Sequence, residues 1–71
     1  MKINNEQQAL EAIESWRTAP LRAQQRNLQM AKEHLELSQM YYEQKGNEQG
    51  SERANRCIAL LSQRINELES L

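Results

Sequence analysis

His34 is the only histidine in the chain and the first side chain to weigh for chemistry. Ser38 follows it by one helical turn, and Glu33 and Glu36 stand close by in sequence. A serine, an imidazole and a carboxylate can build a nucleophile, but only where they converge in a cleft that excludes water. Neighbours along one short helix surface make no cleft. The expectation for His34 is a partly buried ring bonded within its own helix. Metal chemistry fails on count, since one histidine and one cysteine cannot supply the three or four ligands of a zinc site. A di-iron bundle wants a glutamate three residues before its histidine, and Ala31 stands there.

Cys57 is the other reactive side chain. A low-pKa thiolate needs a helix N-terminus or nearby cations, and Arg53 and Arg56 are near. The apolar spacing around Cys57 nevertheless favours burial as a small apolar residue. Gly46 and Gly50 lack the preceding strand and the lysine of a phosphate-cradling loop, and read as an interhelical turn. Trp16 reads as the closure of one end of a core, with an interface anchor as the alternative. No catalytic, cofactor-binding or metal-binding residue is assigned, and the chain is not expected to be an enzyme.

The elements that carry these residues are helical. Valine, phenylalanine and aspartate are absent and there is one threonine, a composition that favours helix over strand at nearly every position. The central stretch, Leu21 to Gln44, repeats Leu21, Leu28, Leu35 and Tyr42 every seven residues. At roughly 100° per residue these share one side with Ala31 and Ser38, while Ala23, Met30, Leu37 and Tyr41 form a second apolar row. The polar arc holds Arg22, Gln25, Arg26, Gln29, Lys32, Glu33, Glu36 and Glu43, with Met40 intruding. One neighbour asks for an apolar stripe of only ~100° or a little more. This helix is wider than that, and reads as the central helix of a bundle with two neighbours or more.

Before it, Asn4 or Asn5 can cap a first helix, about 5–18, whose face combines Ala9, Leu10, Ala12, Ile13 and Trp16. Pro20 breaks the chain, with Thr18 or Ala19 as the expected cap of a helix running about 20–45. A turn at 46–50 leads to a third helix, about 51–70, capped by Ser51. In it Ala54, Ile58, Leu61, Ile65 and Leu68 form a heptad seam, with Cys57 beside the seam and Leu60 on its outer side. The fold class is therefore all-α, a single domain over 1–71 with a short N-terminal helix and a long antiparallel helical hairpin, assembling into a helical-bundle oligomer.

Oligomerisation is expected because 71 residues hold one small core, and cores below ~80 residues seldom yield more than ~3–5 kcal/mol without a disulfide, a metal or a partner. A single cysteine allows no internal disulfide. A dimer is favoured. Asn27 and His34, one heptad apart between the two apolar rows, are the candidates for fixing partner number or register. A net charge of −1 gives no global basic field, and no apolar run approaches the ~20 residues of a membrane span. A soluble, cytoplasmic setting without membrane contact is the default.

Function is thus expected to lie in binding. The leading expectation is a small regulatory or adaptor protein that meets another protein through Met30, Leu37, Met40, Tyr41 and Leu60, with Arg22 and Arg26 meeting an acidic surface. The alternative is a helical-bundle nucleic-acid binder using the stretch from Arg17 to Lys32, which holds four basic residues and no acid.

Overall fold

The computed structural model describes residues 2–71. Three helices follow in order, α1 (Glu6–Trp16), α2 (Leu21–Gln44) and α3 (Glu48–Glu69), and α2 and α3 pack as an antiparallel hairpin. No strand occurs among the described residues.

Each boundary has a local cause. Asn5, in extended backbone, accepts the Gln8 N–H on Oδ1 at 2.8 Å, while Gln8 Oε1 accepts the Asn4 N–H at 2.7 Å. This reciprocal pair resembles a capping box and starts α1. The helix ends at Trp16, two residues short of the sequence expectation, because its last turn tightens: the Arg17 and Ala19 amides donate to Glu14 O at 3.2 Å and Trp16 O at 3.0 Å, each three residues back. Neither Thr18 nor Ala19 caps α2. Pro20 itself is the N-cap and has no side-chain bond to offer. Gln24 occupies this corner instead, its Nε2 donating to Ala19 O at 2.8 Å and Arg17 O at 3.3 Å.

The α2–α3 turn is tighter than 46–50. Gly46 sits at φ +70°, and the Asn47 and Gly46 amides donate to Tyr42 O at 2.8 Å and Glu43 O at 3.1 Å. That pattern is a Schellman motif, which closes the orphan carbonyls of α2. Asn47 then starts α3 at once, its Oδ1 accepting the Gly50 N–H at 2.9 Å. Ser51 is therefore not the cap. It lies inside α3, as does Gly50, whose missing side chain makes room for Tyr42.

The core runs between Leu28 and Leu35 of α2 and Cys57, Leu61 and Leu68 of α3, and is closed by Ala9, Ala12 and Ile13 of α1 with Ile3 from the leading segment. Fully burying a leucine contributes about 1.5–3 kcal/mol, so Leu28 and Leu61 are central to stability. The α3 seam is displaced from the one read in the sequence. Its buried line is Gly50, Ala54, Cys57, Leu61 and Leu68, with Ile58 and Ile65 at the margin. Cys57 belongs to the seam because α1 closes over that side.

α1 packs mainly on α3 and only grazes α2. The shared element is thus α3, where the sequence pointed to α2 as the helix with two neighbours. Leu10, expected on the packed face of α1, is half exposed because that face turns toward α3 through Ala9, Ala12 and Ile13.

Candidate functional site

Of the two apolar rows on α2, one is used by the fold. Leu28 and Leu35 are buried and Tyr42 is half-buried against α3, although Leu21 at the first turn stays exposed. The other row is bare: Met30 is 61%, Leu37 66% and Tyr41 58% exposed, with Met40 at 56% beside them. These four are the partner-binding candidates on α2, and the structure brings them onto one outer surface. Leu60, grouped with them from sequence, lies elsewhere. It is half-buried against the core and borders a hollow shared with Leu10 and Ile13, because α1 covers what reads in sequence as the outer side of α3.

Asn27, Met30, His34, Leu37 and Tyr41 alternate at three and four residues. That spacing is a coiled-coil seam, on the side of the helix away from its buried line. Asn27 is half-buried and lines a shallow hollow with Trp16, Met30, Ala31 and His34. His34 is exposed, in contrast to the partly buried ring expected, because α1 reaches this row only near Asn27, through Trp16, and leaves the ring open to solvent.

Tyr41 has two neighbours along its own chain. Its ring meets Tyr42 edge-on with centroids 5.8 Å apart and planes at 68°, and Lys45 Nζ lies 5.7 Å from its centroid. Tyr42 is in turn seated on Gly50. An exposed aromatic ring fixed in this way loses little freedom when something covers it.

The charges of α2 are segregated. Arg22, Arg26 and Lys32 lie in the half from Leu21 to Lys32, which has no acid, and Glu33, Glu36 and Glu43 lie in the half from Glu33 to Gln44, which has no Lys or Arg, so the halves carry +3 and −3. The helix macrodipole favours the reverse order, and α2 has neither an acid in its first turn nor a base in its last. Arg22 and Arg26 are exposed. Among the described residues the ion pairs are Glu14–Arg17, Glu6–Arg56 and Arg64–Glu67, and none uses a charge of α2.

Cys57 is fully buried. Burial pushes its thiol above the ordinary range, the charge of Glu6 adds to the rise, and Arg56 and Arg53 oppose it. The arrangement is that of a core residue rather than a nucleophile. Among the described residues no three of His, Cys, Asp and Glu come together as a metal site, and no helix is long and apolar enough to cross a membrane.

Sequence reasoning missed Gln24 and Arg64. Gln24 is buried at 8% exposure, and its Oε1 accepts from Arg64 Nη2 at 3.4 Å while Arg64 Nη1 reaches Glu67 at 3.2 Å. The signal was present: Gln24 falls between Leu21 and Leu28 on the packed row, where a polar residue needs a partner.

Comparison with protein-family models, curated proteins and solved structures finds no match for this chain.

Proposed function

We propose that the protein is a small non-enzymatic adaptor or regulator that acts by helix-mediated protein–protein interaction, with the outer stripe of α2 as its contact surface. The observation that carries this reading is the exposure of Met30, Leu37, Met40 and Tyr41 along one helix whose opposite side already supplies the core. Contiguous apolar surface rimmed by polar residues marks interaction sites more often than scattered exposed side chains do. Tyr41 and the Met pair suit such a role, the first as a rigid anchor and the second as adaptable filling.

Nucleic-acid binding is the second reading, favoured by Arg22 and Arg26 being exposed without an ion-pair partner among the described residues. Against it stand Glu33, Glu36 and Glu43 on the same helix, which repel a polyanion laid along it. Affinity capture from the native host, with bound protein and nucleic acid both identified, separates the two. A protein retained by wild type and lost from a Leu37→Glu variant is the expected result. Nucleic acid retained at physiological salt and lost from an Arg22→Glu, Arg26→Glu variant would reverse the ranking.

A further inference from the structure

We infer that the hollow between α1 and α2 seats one tyrosine side chain of a partner protein. The inference rests on the reading of the outer row of α2 as an interaction surface and names what enters it.

The hollow exists because α1 packs on α3 and only grazes α2. Trp16 of α1 and Asn27, Met30, Ala31 and His34 of α2 line the gap, which holds about 270 Å³. Sites for a whole drug-sized ligand take roughly 300–1,000 Å³, so this one has room for a single side chain. No lysine, arginine or glutamate lines it. Its occupant is accordingly uncharged.

Hydrogen-bonding capacity narrows the choice. The Trp16 indole N–H, the Asn27 amide and the His34 ring enter none of the side-chain hydrogen bonds among the described residues. Solvent satisfies them while the hollow is open. An aliphatic side chain or a phenylalanine seated there would displace that solvent and return no bond, leaving polar groups covered and unpaired. The occupant therefore needs a polar edge as well as an apolar body.

The body is a ring, because the Trp16 indole and the Met30 thioether both favour aromatic contact. The edge must accept as well as donate, since the Trp16 N–H can only donate while the Asn27 amide does both. A phenol meets that requirement. An indole only donates, and a second imidazole would stand beside His34, where protonation of either ring opposes that of the other. A nucleobase would bring a phosphate with no cation at the hollow to meet it.

Trp16 is the only tryptophan, so its indole N–H gives a single signal in the amide correlation spectrum of isotope-labelled protein, and the Asn27 side-chain amide gives a second reporter. Titration with N-acetyl-tyrosinamide should move both to saturation with a millimolar dissociation constant, the strength open to one side chain. N-acetyl-phenylalaninamide should bind at least about threefold more weakly, and N-acetyl-leucinamide and adenosine more weakly still. Asn27→Leu, at a half-buried position, should reduce the preference for tyrosine over phenylalanine. Met30→Ala, at an exposed position, should weaken both ring ligands by at least about threefold, with helicity unchanged in either variant. Absence of saturable shifts, equal affinity for the leucine and tyrosine compounds, tighter binding of adenosine, or a tyrosine preference undiminished by Asn27→Leu would each overturn the inference. Failure here with a captured protein still lost on Leu37→Glu removes the tyrosine site alone; a captured protein indifferent to Leu37→Glu removes the interaction reading as well.

Discussion

Gly50 lies against the ring of Tyr42 so closely that a Cβ built on it would meet ring Cγ and Cδ1 at 2.7 Å. Two opposing effects decide Gly50→Ala. Alanine gains about 1 kcal/mol of helix propensity, while overpacking at the root of a ring costs about 1–3 kcal/mol. The expected outcome is a net loss of about 1 kcal/mol in denaturant unfolding. In a Tyr42→Ala background the same substitution should become stabilising, and if it does not, the contact is not the cause. Gly46→Ala fails for a different reason, since nothing crowds that position but its φ of +70° costs a side chain about 1 kcal/mol.

Gln24 closes the α1–α2 corner with one amide. Gln24→Met keeps the volume and loses the donors to Ala19 O and Arg17 O as well as the acceptor for Arg64. A loss of about 1–2 kcal/mol is expected, because buried polar groups stay unpaired when one partner is removed. Urea unfolding of the two chains measures it, and equal midpoints would show that water replaces the amide.

Cys57 makes alkaline stability informative. A thiol whose folded pKa is raised holds its proton better in the folded chain. Its contribution is complete below the unfolded thiol's pKa and is lost as pH rises through the folded value. The stability difference between wild type and Cys57→Ala should be flat from about pH 6 to 8, and should move against wild type above about pH 8.5. A flat difference up to about pH 10 would mean the thiol titrates alike in both states.

Asn27 and His34 sit on the uncovered row, so replacing both by leucine leaves the core of one chain unchanged. The double variant should retain its helicity and associate at least about tenfold more tightly, with loss of a single defined mass, since polar seam positions fix register at a cost in affinity. Sedimentation with circular dichroism checks both. An unchanged mass distribution would place the seam elsewhere.

Helix number, order and approximate extent were legible in the sequence because Leu21, Leu28, Leu35 and Tyr42 keep one period and because proline and glycine punctuate the gaps. Boundaries shifted where one residue serves two helices. Asn47 ends α2 and caps α3 together, and Gly50 is there for packing, not for turning. The two apolar rows of α2 were legible, but which one the chain covers was not. Periodicity cannot say that α1 would turn toward α3. The burial of Ile3 and the contacts of Gln24 depend on tertiary placement, which a linear pattern does not encode.

The unequal seating of α1 has a kinetic side. It is held by Ala9, Ala12 and Ile13 in the core, with Trp16 packed against it, by the Gln24 amide at its end, and by an exposed Glu6–Arg56 pair at 2.7 Å, a kind of bond worth at most about 1 kcal/mol. The hairpin, with its own turn and leucine core, does not depend on it to the same degree. A cooperative opening short of global unfolding is therefore expected to lift α1 while α2 and α3 stay paired. Cys57, close enough to Glu6 for its charge to be felt at the thiol, lies under that lid. Its rate of alkylation should then report the opening of one helix and exceed the rate of global unfolding; equal rates would show that α1 leaves only with the rest of the fold.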